Sequence, residues 1–408
     1  MRILIATSYR NLIGGVERYL QVVIPGLLNH GHEIGLLYEI PLPEAGEVID
    51  PPGAALATWC WSERSRDYAL ASIARWRPEI VYSQGLEDGE LEGILLDTYP
   101  VALYAHNYFG TCVSGRKCNS FPTVRPCARR FGPGCLALYY PRRCGGLNPL
   151  TMWKMYRRQT QINSRLPKYT KVLVASTHMA REFQNHGLRP DQIDVVPLPA
   201  ANGTLPDGAP TRNPEGRILF IGRLTDIKGG NNLVKALALA GQDGRALTLT
   251  VAGDGPELAR MQDLAAALGV SLRCTGWVGN AEKLELLREA DLLVIPSLWP
   301  EPFGMVGVEA GCQGVPAAGY AVGGIPDWLI PGVTGELAPG DPPSPDGLAG
   351  AIVRALADPV HYQRLCQGAW EMSRKFSLQR HLAQLEPILA DQPGHVSREA
   401  VSDPCARI

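Results

Sequence analysis

Two glutamates eight positions apart, Glu301 and Glu309, stand in the run SLWPEPFGMVGVEAGC, directly after the apolar stretch DLLVIPS. The order reads as a strand, a Pro-bracketed loop carrying Glu301, and a helix that opens near Phe303 and Gly304 and continues through Met305 and Val306, with Glu309 inside it. A helix N-terminus presents unpaired N–H groups and a partial positive charge, which suits phosphate or sugar oxygens. An ionised carboxylate only accepts hydrogen bonds, so two of them flanking such a site suit a hydroxyl-rich ligand. Taken singly, either glutamate reads equally well as a solvated surface carboxylate. The strand, loop and glycine-bearing helix start around the pair favour the binding reading.

A second constellation, GRLTDIKGGNNLVKAL, follows the apolar run RILFI. Arg223 falls at the strand end and Lys228 in the turn before a helix that begins around Asn231 or Asn232. Two fixed cations there would neutralise a diphosphate leaving group, and the planar guanidinium grips phosphate oxygens in a bidentate way. The plainer reading is a surface salt bridge to Asp226 or another carboxylate.

The third constellation is of a different kind. Five of the ten cysteines, Cys112, Cys118, Cys127, Cys135 and Cys144, fall within 33 consecutive residues. Their spacing, C-x5-C-x8-C-x7-C-x8-C, lacks the close CxxC pairs of common zinc modules. Three readings stay open: four thiolates holding a structural zinc or iron–sulfur cluster, disulfides in an oxidising environment, or packed small thiols. The same region carries no acid, since the 84 residues from 98 to 181 contain fourteen Lys or Arg and no Asp or Glu. A solvated basic face competes here with recognition of an anionic acceptor or membrane surface, the segment NPLTMWKMYRRQTQINSRL reading as a basic amphipathic helix. No named nucleic-acid motif appears, and nucleic-acid binding is not expected.

The elements that must position these groups alternate: RILIA, VERYLQVVIPGLLNHG, EIGLLYE, EIVYSQG, VALYAHN and KVLVAST, then RILFIGR, LTLTVAGDG, SLRCTGWV, DLLVIPS and VPAAGYA. Strand and helix in that rhythm imply α/β architecture, parallel sheets with helices on both faces and ligands at the strands' carboxyl ends. With 408 residues, 45 % hydrophobic and 19 % charged, the chain is long enough for two domains and too apolar for disorder. We place an N-terminal domain at 1–198 with a Cys-rich basic insertion over about 107–150, and a Pro/Gly/Asn-rich linker at 199–215. A C-terminal domain follows at 216–375, then a last helix at 376–392 packing back on the N-terminal domain, and a loose tail at 393–408. No run approaches the roughly 20 apolar residues of a membrane span. The net charge of −1 excludes a uniformly basic protein, yet residues 98–181 carry +14 and the remainder, 25 basic against 40 acidic residues, carries −15. The turn AGDGPE lacks the third glycine of a dinucleotide fingerprint and reads as a helix start with Asp254 as cap and Pro256 in the first turn.

Several of these motifs in this order carry a resemblance: GGVERY at 14–19 after the first strand, GRLTDIKGG, AGDGPE, the Glu-x7-Glu run EPFGMVGVE, then GGIPDWL and GVTGEL. The chain resembles glycosyltransferase family 4, retaining enzymes of the two-Rossmann GT-B architecture, from Met1 to about Leu389, and it looks like a bacterial member with a cysteine-rich insert in its N-terminal domain. The resemblance implies that Arg223 and Lys228 hold the donor pyrophosphate and that Glu301 binds hydroxyls of the transferred sugar. The backbone of Phe303, Gly304, Met305 and Val306 would lie near sugar and phosphates, Glu309 would take the ribose hydroxyls, and Val278 would lie against the base. Gly14 and Gly15 match the glycine-rich loop that approaches donor phosphate and acceptor. His106, in YAHN at a strand end, matches a histidine beside the sugar, although a lone strand-end histidine is otherwise most often structural.

The implied activity is retaining transfer of a hexose-type sugar from a UDP- or GDP-sugar to an acceptor hydroxyl, the acceptor being a small molecule or an anionic or lipid-linked one. No Asp-x-Asp occurs, so chemistry without a divalent cation is expected. The rival is a catalytically silent GT-B scaffold subunit. A cytoplasmic location, with peripheral contact at an anionic membrane, completes the expectation, and the oligomeric state is left open.

Overall fold

The structure, a computed structural model, describes residues 1–41, 47–53, 56–63, 65–200, 208–242 and 244–391. The tail expected at 393–408 and part of the 199–215 linker lie outside the described residues.

The N-terminal half runs through β1 (Arg2–Tyr9), β2 (Glu33–Ile40), β3 (Ala57–Cys60), β4 (Ile80–Ser83), β5 (Val101–Ala105), the two-residue arms β6 (Cys118–Asn119) and β7 (Arg125–Pro126), β8 (Lys171–Val174) and β9 (Ile193–Val195). Seven of these form one parallel sheet in the order β3-β2-β1-β4-β5-β8-β9, while β6 and β7 pair antiparallel on their own. The C-terminal half contributes β10 (Arg217–Ile221), β11 (Thr248–Ala252), β12 (Ser271–Gly276), β13 (Leu292–Ile295), β14 (Ala317–Tyr320) and β15 (Gly335–Ala338), a second parallel sheet ordered β12-β11-β10-β13-β14-β15. Each order reverses beside its first strand, at β1/β4 and at β10/β13, and open α/β sheets bind ligands at such points.

Period-two alternation explains why β1 reads as an unbroken apolar run: Ile3 and Ile5 enter one hydrophobic cluster and Leu4 and Ala6 the other, because helices cover both faces. The helix Gly15–Asn29 lies in the first of these clusters through Tyr19, Leu20, Val23 and Ile24. Leu382, Leu385 and Leu389 of the last helix, Leu378–Ala390, join the same cluster. That helix therefore completes the N-terminal core, and His381 Nε2 lies 2.9 Å from the hydroxyl of Tyr19. His381 Nδ1 lies 2.8 Å from the Pro197 carbonyl, which fixes Nδ1 as the protonated nitrogen and Nε2 as the acceptor from Tyr19.

The insertion departs from the layered plan. Between β5 and the helix Pro149–Arg165 it holds only the two short arms and the six-residue helix Gly134–Tyr139. Three polar links tie the N-terminal domain to the C-terminal one: Arg18 to Asn280 (2.9 Å), Arg116 to Asp226 (2.6 Å), and Thr177 to Asp327 (2.7 Å). Among the described residues no helix is long and apolar enough to cross a membrane.

Candidate active site

The adjacent strands β10 and β13 deliver the main side chains. After β10 the chain turns through Gly222 to Arg223, which is exposed and forms no ion pair or hydrogen bond through its side chain with any described residue. The salt bridge to Asp226 that a surface role would need is absent, because Asp226 pairs with Arg116 instead. The AGDGPE turn buttresses this loop: Leu224 N donates to Asp254 O (2.8 Å) and Glu257 N to Leu224 O (3.1 Å). Asp254 is not the helix cap expected of it. The helix spans Leu258–Leu268, and the Asp254 carboxylate takes the nearby Gly255 amide at 2.6 Å.

Lys228 closes the short turn Asp226–Lys228. Gly229 follows at φ +73°, and a Cβ there would stand 1.8 Å from the Pro296 carbonyl, so only glycine lets this turn press against the end of β13. The approach brings Lys228 Nζ to 2.6 Å from Glu301 Oε1. The same oxygen accepts from Ser297 Oγ (2.5 Å) and Trp299 Nε1 (2.9 Å), and the ammonium also lies 5.4 Å from the Trp299 ring centre. Three donors on Oε1 leave Oε2 to accept from a ligand hydroxyl. The loop GGIPDWL holds Glu301 from behind: Gly324 N donates to Glu301 O (2.7 Å), and Gly323, at φ +58°, has no room for a Cβ against the Glu301 backbone.

The helix Met305–Cys312 begins at Gly304, φ +86°, leaving the amides of Met305 and Val306 at its free end. Phe303 contributes backbone alone. Its side chain is buried against Phe376 with ring centres 5.2 Å apart, and its carbonyl accepts from Trp328 Nε1. Glu309 pairs with Lys283 Nζ at 2.8 Å. This pair, Arg18, Asn280, Met305 and Gly15 line one cleft between the domains. Gly14 and Gly15 have no left-handed backbone, and Cβ atoms there would touch nothing beyond the Glu17 carboxylate. Bareness of the backbone, rather than an unusual φ, is what these glycines contribute. Val278, partly buried, packs on the C-terminal core after β12, beside the exposed Trp277.

His106 caps β5. Its Nε2 lies 2.9 Å from Gln84 Oε1, and its ring packs on Tyr104 (4.7 Å) and Tyr19 (5.3 Å). Burial, with the nearby His381, lowers its pKa to about 3, so the ring is neutral near pH 7. Nε2 then donates to Gln84 and Nδ1 is left as an acceptor. Beside it, at the carboxyl ends of β4 and β5, lies a second cavity walled by Gln84, Asn107, Arg158, Arg165 and Tyr169.

The structure thus brings Lys228 to Glu301 and Glu309 to the start of the first helix, while His106 belongs to the N-terminal wall. Sequence reasoning missed Ser297, Trp299 and Lys283. Trp299 and Ser297 stand within four residues of Glu301 and were in view as the run SLWPE. Lys283 is 26 residues from Glu309 and left no local signal.

Two Rossmann-like domains with these motifs at facing strand ends define the GT-B class. Residues 13–200 match the family model described as Glycosyltransferase Family 4 and residues 206–372 that described as Glycosyl transferases group 1. The chain belongs to the GT4-type glycosyltransferases. Among sequence relatives, glycogen synthase of Mycobacterium tuberculosis is 38% identical over 156 residues, 37% of this chain and 36% of that protein. The 2-deoxystreptamine glucosyltransferase of Streptomyces kanamyceticus is 32% identical over 50% of this chain and 53% of its own length. The D-inositol 3-phosphate glycosyltransferase of Corynebacterium glutamicum is 34% identical over 43% of each. The chain therefore spans between about a third and a half of the length of these relatives. In fold, it is similar to Anabaena HepE crystallised with UDP and glucose (TM-score 0.67, 18% identity, 96% and 99% of the two chains). Sucrose-phosphate synthase of Thermosynechococcus elongatus is also similar (TM-score 0.69, 20% identity, 95% and 98%).

Proposed function

We propose that the chain transfers a hexose-type sugar from a UDP- or GDP-sugar to an acceptor hydroxyl with retention of configuration. The observation that carries this reading is the state of the cations on the C-terminal side: Arg223 is unpaired, while Lys228 and Lys283 each sit on a glutamate at the cleft. In the proposed complex Arg223 and Lys228 neutralise the charge that grows on the departing diphosphate, assisted by the free amides of Met305 and Val306. Glu301 holds sugar hydroxyls through Oε2. Glu309 takes the ribose hydroxyls, and Lys283, 2.8 Å away, aims that carboxylate. Attack from the face the leaving group vacates lets a diphosphate oxygen take the acceptor's proton, so no carboxylate serves as nucleophile and no divalent ion is needed. His106, neutral, accepts a sugar or acceptor hydroxyl proton in a hydrogen bond at Nδ1 without titrating.

The cavity beside His106 is the proposed acceptor site, and Arg158 and Arg165 in its wall favour an anionic or lipid-linked acceptor. Nearby, Leu147, Leu150 and Trp153 are exposed by 80%, 71% and 51%, among Lys154 and Arg157, which supports peripheral contact with an anionic membrane. The test is thermal-shift screening with UDP-, GDP-, ADP- and dTDP-sugars followed by turnover assays with and without chelator. Stabilisation by one nucleotide class and chelator-resistant transfer are expected. Absence of any shift would favour a silent scaffold instead.

A further inference from the structure

The five clustered cysteines line a single small cavity in the insertion. They reach it from four short pieces of chain held together by scattered backbone bonds, among them Cys127 N to Lys117 O (2.9 Å), Ser120 N to Arg142 O (3.0 Å) and Cys144 N to Tyr139 O (2.9 Å), and by the buried Lys117 ammonium, which donates to the carbonyls of Thr111 and Arg129. Residues 107–148 bury just four apolar side chains, Tyr108, Val113, Cys118 and Tyr139. A module of that size with so little apolar core needs a crosslink or a metal to keep one shape. None of the five is in a disulfide. Arg129 and Arg142 share the cavity wall with the thiols, a placement that inert, packed thiols have no use for and that a cluster of thiolates does.

We infer that this cavity is a structural zinc site, held by Cys112, Cys127, Cys135 and Cys144, with Cys118 as the fifth, non-ligating thiol. Cys118 is buried in the module's own small core, whereas the other four thiols are only partly buried where they line the cavity. Among the described residues no three metal-ligating side chains converge on one centre, so the thiols must draw inward around the ion. On binding, four thiols release four protons to solvent and the site retains a net charge of −2, which the two arginines offset. A single ion suits the narrow cavity better than a cluster.

The loop between Cys112 and Cys118 gives the site a role, resting here on the donor-site reading above. It carries Arg116, whose Nη2 donates to Asp226 Oδ1 at 2.6 Å across the cleft. Asp226 opens the turn that ends in Lys228. Zinc would therefore stiffen a strut from the N-terminal insertion to the diphosphate-binding turn.

Metal content tests the site independently of activity. The full chain, purified under anaerobic conditions without chelator, is expected to contain one zinc per chain, and cobalt(II) reconstitution should give the intense absorption of tetrahedral thiolate coordination. Cys118→Ser should keep the metal, whereas Cys112→Ser and Cys135→Ser should lose it. Iron with acid-labile sulfide, disulfides, or five titratable thiols without metal would each overturn the zinc assignment, and loss of zinc from Cys118→Ser would overturn the choice of four. Arg116→Ala should retain zinc and raise the donor KM several-fold with kcat little changed. An unchanged KM in a zinc-loaded protein would remove the strut while leaving the metal site standing.

Discussion

The two sides of the cleft treat their positive charges in opposite ways. At the strand ends of the C-terminal domain Lys228 and Lys283 are each held by a glutamate within 2.8 Å, while Arg223 forms no ion pair with a described residue. On the N-terminal side, of the fourteen cations between residues 98 and 181 only Arg116, Lys117, Lys168 and Lys171 form ion pairs with described residues. Paired charges are pre-aimed, and they suit a ligand whose phosphates and hydroxyls must be met in one geometry. Unpaired charges create a field, which suits attraction of an anionic partner whose exact pose is set elsewhere. The donor side is thus built as a template and the acceptor side as an attractor.

If that contrast holds, breaking the template costs most. Lys228→Ala and Glu301→Ala are each expected to lower turnover by about 10³-fold with every acceptor, while circular dichroism and the melting curve remain those of a folded protein. Turnover near the parent level in either variant would refute the assignment. Arg223→Ala should cost about 10²-fold in kcat and leave the melting temperature unchanged, because this exposed side chain has no partner to lose among the described residues. A lowered melting temperature would mean that Arg223 is structural.

Acid should separate the two sides by stability. The histidines that burial holds neutral, His106, His178, His186 and His381, all pack in the N-terminal half or on its core. His186 and His381 fall from 6.5 to about 4 in the folded chain, so each contributes stability that is complete above pH 6.5 and is lost as the pH drops toward 4. A loss on the order of 2 kcal/mol for each ring by pH 5 follows. Denaturant titrations at pH 7.5 and pH 5 check it, and equal stability at both would contradict the burial argument.

The attractor should fail gradually. Lys154→Glu and Arg157→Glu are each expected to weaken binding to phosphatidylserine-containing vesicles by about 1 kcal/mol or somewhat more, in a salt-dependent way, without changing donor affinity. Binding indifferent to charge and salt would assign the basic face to solvent.

The parallel sheets and the donor motifs were legible from sequence because their signals are local. Apolar runs such as RILIA and DLLVIPS declare buried parallel strands, and Gly229 beside Lys228 marks a turn that only glycine permits. What stayed hidden depends on distant parts of the chain meeting. Nothing near Glu309 announces Lys283, nothing near Asp226 announces Arg116, and Asp254 looked like a cap because its neighbour Pro256 suggested a helix start that lies slightly further on. His106 stood out as a strand-end side chain, but its neutrality follows from Tyr19, Tyr104 and His381, brought together from three separated segments.

The last helix has a consequence for how the chain is made. Leu382, Leu385 and Leu389 fill the same core as Ile3 and Ile5, and Ala200 N donates to Phe376 O where the chain crosses between domains for the second time. During synthesis the N-terminal domain emerges ahead of the C-terminal one, yet the core that Ile3 and Ile5 share with the helix Gly15–Asn29 stays incomplete until the helix Leu378–Ala390 has also left the ribosome. The C-terminal domain, enclosed between the two crossings, has all its strands available earlier and is free to fold ahead of the domain that precedes it in the chain.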